Sequence, residues 1–93
     1  MKWLEIIELR SAEGNREKLE PMLNKLINEA AKEGIKQAVV IYKHVMLDND
    51  FRIHLIHDRM KVDSGGSKLG LCIASNLKEY GLVNHSIWIE RSA

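Results

Sequence analysis

Hydrophobic and polar positions divide the chain into six segments with two different periods. Trp3–Arg10 is rich in Leu and Ile and too short for a stable helix, so it predicts a strand. Ser11–Asn15, with Gly14, reads as a turn. From Arg16 the period becomes helical, with Leu19, Met22, Leu23, Leu26, Ile27, Ala30 and Ala31 on one stripe. Pro21 leaves two starts open: near Lys18 with the proline in the first turn, or at Arg16 with a kink. Gly34-Ile35 predicts the end, the glycine left-handed and Ile35 folded back on the last turn.

Ala38–Leu47 and Phe51–Met60 are dominated by Val, Ile, Tyr and Phe and flank Asp48-Asn49-Asp50, which predicts a hairpin with a three-residue tip. The polar loop Lys61–Ser67 leads into a second helix, Lys68–Tyr80, capped by Ser67 and striped by Leu69, Cys72, Ile73, Leu77 and Tyr80. Gly81-Leu82 is expected to end this helix as Gly34-Ile35 ends the first, and Val83–Glu90 supplies the last strand. The order βαββαβ, without linker or low-complexity tract, predicts one domain over residues 1–93. Its class is α+β, a ferredoxin-like sandwich with a four-stranded antiparallel sheet and both helices on one face.

Alternation assigns the faces of that sheet. The three-residue tip pairs Leu47 with Phe51, Val45 with Ile53, His44 with His54 and Tyr42 with Ile56. The helix-covered face then holds Val39, Ile41, Val45, Leu47, Phe51, Ile53 and Leu55, interrupted by Lys43 and His57. The uncovered face holds Val40, Tyr42, His44, Met46, Arg52, His54, Ile56 and Asp58. In the first strand Trp3, Ile7 and Leu9 share a face with Glu5, opposite Leu4 and Ile6; in the last, Ile87 and Ile89 lie opposite Trp88. Large apolar groups therefore occupy both faces, whereas a sheet with one wet face alternates cleanly. The uncovered face is expected to pack on the same face of a second copy, giving a homodimer.

Composition agrees with this reading and excludes other classes. The core must come from 26 Ile, Leu and Val residues, because only Trp3, Tyr42, Phe51, Tyr80 and Trp88 are aromatic. A chain of this size is stable by only about 5–14 kcal/mol, so a second subunit would help it. Fourteen Lys/Arg against thirteen Asp/Glu leave a charge of +1, which offers nucleic acid or acidic membrane no basic field. Phe51–His57 also lacks the aromatic pattern with which RNA-recognition strands stack bases. The apolar stretch near the N-terminus is broken by Glu5 and Glu8, so neither a signal peptide nor a membrane helix is expected. Cys72, without a partner, suits a reducing compartment, and the expected location is cytoplasmic. Its place on the helical stripe predicts an inert core thiol.

Four histidines, His44, His54, His57 and His85, carry most of the candidate chemistry. His44 and His54 are expected as cross-strand neighbours that share a face with Tyr42, Arg52 and Asp58, where an anionic or phenolic ligand would meet donors and a base. Two histidines are fewer than a tetrahedral zinc site needs, so no metal and no cofactor is expected. His85, at the start of a strand, is expected at the surface. The loop Asp63–Lys68 lacks a phosphate-loop motif and reads as a flexible loop with Ser67 as cap, with Gly70 letting the helix lie close to the sheet or to a partner.

The opening strand, the Gly14-Asn15-Arg16-Glu17 turn, Leu19 and Leu23 on the helix, the hairpin and the closing strand together resemble the dimeric α/β-barrel superfamily, within it the antibiotic-biosynthesis-monooxygenase-like group. The resemblance spans nearly the whole chain and implies a homodimer whose two sheets form a barrel around a pocket. Enzymes of that group carry a functional Asn on the first strand, a Trp just after the third, and an Arg or His further on. Here Ile7 lies in the first strand, and His57-Asp58-Arg59 stands where the Trp belongs, so fold and assembly carry over and no catalytic residue does. The leading expectation is a homodimer that holds a small, partly apolar molecule between its sheets through Tyr42, His44, Arg52, His54 and Trp88. If it is catalytic, the resemblance implies cofactor-independent oxygenation with His44 or His54 as proton acceptor. The alternative is a non-catalytic ligand-sensing or interaction module whose open face only dimerises, and a metal site at His44 and His54 ranks third.

Overall fold

A computed structural model describes residues 2–12, 14–32, 38–58 and 61–91 of the chain. The elements follow the expected order: β1 (Lys2–Ser11), α1 (Arg16–Lys32), β2 (Ala38–Lys43), β3 (Asp50–Asp58), α2 (Lys68–Leu77) and β4 (Gly81–Ile89). The four strands form one antiparallel sheet in the order β2-β3-β1-β4. Ile7, Leu9, Phe51, Ile53 and Leu55 project from one face and bury Leu19 and Leu23 of α1 together with Ile73, Ala74 and Leu77 of α2. Both helices thus cover the same face, an α+β arrangement compatible with a ferredoxin-like sandwich.

α1 begins at Arg16, and Pro21 lies inside it. Lacking an N–H, Pro21 leaves the Glu17 carbonyl without its intrahelical donor, at an exposed position. Asn15 anchors the start: its carbonyl accepts from Lys18 and Leu19, and its side-chain amide donates to the Tyr80 carbonyl at 3.1 Å. The expected Gly34-Ile35 stop lies outside the described residues.

The hairpin differs from expectation. β2 ends at Lys43, not Leu47, and Lys43 pairs with Phe51, Tyr42 with Arg52, Ile41 with Ile53 and Val40 with His54. Relative to the expected register β2 has slipped by four residues. Because side chains alternate with a period of two, an even slip leaves every strand residue on its assigned face. His44–Asn49 becomes a longer connection held by His44, whose Nδ1 accepts the amides of Met46 and Leu47 at 3.0 Å each. The Ser11 amide and hydroxyl both donate to the Asn49 carbonyl at 2.8 Å and tie this loop to β1.

One glycine reading changes as well. Gly81 is not a left-handed helix stop; it opens β4, where a Cβ would sit 2.0 Å from the Arg10 carbonyl oxygen. Gly70 behaves as expected, for a Cβ there would fall 1.9 Å from Glu5 Oε2. Ser67 caps α2 by accepting the Gly70 amide at 3.0 Å. Cys72 is exposed, not a core thiol, because the buried stripe of α2 runs through Gly70, Ile73, Ala74 and Leu77.

Candidate functional site

The sheet face away from the helices is built as successive rungs. Lys2 of β1 lies beside Asp58 of β3, Leu4 beside Ile56, Ile6 beside His54, Glu8 beside Arg52 and Arg10 beside Asp50. On the other side of β1, Trp88 flanks Leu4, Ser86 flanks Ile6, Asn84 flanks Glu8 and Leu82 flanks Arg10. The outer edge is completed by Val40 next to His54 and Tyr42 next to Arg52. The face therefore carries an apolar rung at Leu4, Ile56 and Trp88, flanked by the charged Lys2–Asp58 rung on one side and by the His54, Glu8–Arg52 and Arg10–Asp50 rungs on the other. Val40, Tyr42, Ile56, Leu82 and Trp88 are all exposed, Trp88 at 57%.

The Arg10–Asp50 end of the face holds a cleft of about 600 Å³ lined by Glu8, Tyr42, His44, Arg52, Leu82 and Asn84 among others. Of the five residues expected to touch a ligand, Tyr42, His44 and Arg52 meet here. His54 lies one rung further along, its ring 4.6 Å from that of Tyr42. Trp88 stands towards the opposite end of the face, its indole N–H donating to Ser86 Oγ at 2.9 Å.

His44 and His54 are not cross-strand neighbours, since the register slip sets Val40 against His54 and lifts His44 into the loop. The pair is therefore not juxtaposed for a shared metal or proton relay. The two imidazoles also differ chemically. His44 Nδ1 is occupied by two backbone donors, so neutral His44 carries its proton on Nε2 and presents a donor. His54 Nε2 is buried with no partner among the described residues. Burial lowers the pKa of His54 below its ordinary 6.5, the Arg52 charge lowers it further, and Glu8 opposes this. Burial and Arg52 thus favour the neutral form of His54.

The cations around the cleft are loosely paired. Arg52 Nη2 lies 3.5 Å from Glu8 Oε1 and Arg10 Nε lies 3.6 Å from Asp50 Oδ2, each a single long contact. A guanidinium can form two parallel bonds to a carboxylate, so both retain donors for an anionic group.

A second polar cluster, on the helix-covered face, was not anticipated from the sequence. Glu5 is fully buried, and its Oε1 meets His57 Nε2 at 2.6 Å while its Oε2 meets His85 Nε2 at 2.7 Å. The Ser67 amide donates to Oε1 at 3.1 Å. An ionised carboxylate only accepts, so each Nε2 carries a proton. Burial works to raise the Glu5 pKa, but the hydrogen bonds from Ser67, His85 and His57 outweigh it and hold the pKa below 4.5. Trp3 stacks on the His57 ring at 3.9 Å. His85, expected at the surface, is instead drawn inward by this carboxylate, its side chain only 16% exposed. The cluster joins β1, β3 and β4 to the start of α2. Trp3, Glu5, His57 and His85 all fall on the core-facing parity of their strands, and that shared parity was the signal available.

No group of three or more His, Cys, Asp or Glu among the described residues is arranged to hold a metal ion. No described helix is long and apolar enough to cross a membrane. No protein family, curated protein or solved structure matches the chain.

Proposed function

We propose that the chain binds a small, partly apolar molecule with an anionic or hydrogen-bond-accepting group in the Tyr42–His44–Arg52 cleft, and that a second copy covers the open face. The two sheets would then enclose a dimeric α/β barrel. The observation that carries this reading is the division of the face into rungs: an apolar rung at Leu4, Ile56 and Trp88, and a donor-rich cleft at the end away from it. Tyr42 hydroxyl, His44 Nε2–H and Arg52 guanidinium supply donors for the ligand's polar group, while Leu47 and Leu82 flank its body.

The test is a set of small aryl carboxylates and phenols titrated against the protein by NMR. Binding should shift Tyr42 and Arg52 resonances and weaken at least tenfold in Arg52→Ala. A chain whose cleft resonances respond to none of them contradicts the reading. Cofactor-independent oxygenation is the second reading, favoured by one observation: the His54 ring lies 4.6 Å from that of Tyr42, and burial and Arg52 hold its pKa below 6.5. His54 would deprotonate a phenolic ligand ahead of reaction with dioxygen, and His54→Gln would then abolish oxygen uptake while leaving binding intact.

A further inference from the structure

The connection from β2 to β3 forms one wall of the cleft, and a single ring nitrogen shapes its middle. The ends of the connection are held by backbone. The His44 amide donates to the Asp50 carbonyl at 3.0 Å, and the Asp50 amide donates to the Leu47 carbonyl at 3.2 Å. The middle is held by a side chain: His44 Nδ1 accepts the amides of Met46 and Leu47 at 3.0 Å each. Val45 and Met46 stand in solvent at 91% and 79% exposure, so apolar burial does little to fix them. Leu47 lines the cleft next to His44 itself.

Only the neutral ring has an acceptor at Nδ1. A second proton would put a third N–H where two already point, and histidines take up that proton between about pH 5 and 8. The surrounding charges offer Nδ1 no substitute partner. Around the cleft β1 brings Glu8 and Arg10, β2 brings Tyr42 and Lys43, and β3 brings Asp50 and Arg52. Arg52 lies against Glu8, Arg10 against Asp50, and Lys43 against Asp48 of the loop, so each carboxylate already faces a cation. β4 contributes Leu82, Val83 and Asn84, none of them charged. His54, one rung away, is held towards its neutral form by burial and by Arg52.

We propose that His44 is a positioning residue of the cleft, a proton-sensitive clasp whose neutral ring holds the 45–47 segment in place and whose protonation releases it. For the ligand, this rests on the cleft reading above; for the loop, it stands on the ring geometry alone. The clasp also selects what the cleft recognises. With Nδ1 occupied by backbone donors, Nε2 carries the proton, so the state that builds the Leu47 wall is the state that offers a donor to an acceptor group. Protonation keeps that donor and removes the wall. Proton uptake at His44 and ligand binding therefore oppose each other, and by linkage each weakens the other equally.

Asparagine provides the test, because its side-chain oxygen takes the place of Nδ1 and cannot be protonated. Amide exchange at Met46 and Leu47 is compared between the full wild-type chain and His44→Asn at equal pH, so that intrinsic rates cancel. At about pH 8 the two proteins should match. At about pH 5 the wild-type amides should exchange at least about threefold faster, while His44→Ala exchanges fast at both. His54 titrates in all three proteins and cannot produce the difference. Benzoate titrated into the same samples should lose at least about threefold more affinity on acidification in the wild type than in His44→Asn. Wild-type amides as protected at about pH 5 as those of His44→Asn would overturn the clasp. Amides that are released without any extra loss of benzoate affinity would overturn its role in the cleft. Failure to bind benzoate at either pH would overturn the cleft reading, and the amides would still decide the clasp.

Discussion

Glu5 Oε1 and His57 Nε2 lie 2.6 Å apart with both side chains out of contact with solvent. A buried carboxylate is tolerated only when its lone pairs are satisfied, and here the Ser67 amide and His85 complete the set. Removing the carboxylate in Glu5→Ala leaves two imidazole N–H groups and an amide without an acceptor. The expected loss is about 3–5 kcal/mol in urea unfolding. Glu5→Gln should also destabilise, because its amide offers one acceptor oxygen where three donors converge.

The same carboxylate fixes a pH dependence. The folded state holds Glu5 below its ordinary 4.5, so ionised Glu5 stabilises the fold. That contribution is complete above the unfolded pKa and is lost as pH falls through the folded one. Unfolding free energy should therefore decline below pH 4.5 more steeply in the wild type than in Glu5→Gln. Equal acid slopes in the two proteins would contradict the assignment.

Gly70 and Gly66 should resist substitution for a reason traceable to this cluster. A Cβ at Gly70 meets Glu5 Oε2, and one at Gly66 meets His85 Cε1 at 2.5 Å on a backbone with φ of +97°. Gly70→Ala should cost about 1–3 kcal/mol. In Glu5→Ala that cost should shrink, so a double-mutant cycle is expected to show strong coupling. Gly14, with nothing within 4 Å but a φ of +89°, should show backbone strain alone and no coupling to Glu5.

Element order and faces were legible in the sequence; convergence was not. Alternation assigned Val40, Tyr42, Arg52, His54 and Ile56 to the open face, and it survived a wrong register because the slip was even. The hairpin tip misled because Asp48-Asn49-Asp50 suits a tight turn, while His44 caps a longer one through its own ring nitrogen, a contact no local pattern announces. Glu5 and His57 each stood out as polar residues on an apolar face. Their union with His85 needs β1 to lie between β3 and β4, and strand order is a long-range property. Cys72 was misplaced on α2: Ala74, two residues on, joins Gly70, Ile73 and Leu77 in the buried stripe instead.

His54 should titrate below 6.5 because burial and the adjacent Arg52 both disfavour its charged form. A folded pKa below the unfolded one means that neutral His54 favours the fold above 6.5, and that this contribution is lost as pH falls through the folded value. Arg52→Ala removes the second cause and should raise the His54 midpoint in an NMR titration. A midpoint unchanged by Arg52→Ala would show that the two do not interact.

The face carrying Leu4, Ile56 and Trp88 is proposed to be an interface between two copies. Sedimentation equilibrium measures this directly. The wild type should run at twice 10.7 kDa, and Leu4→Arg, which places a charge on the apolar rung, should run at the monomer mass with an unchanged circular dichroism spectrum. A wild type that stays monomeric at every accessible concentration, or a Leu4→Arg variant that remains fully dimeric, would contradict it.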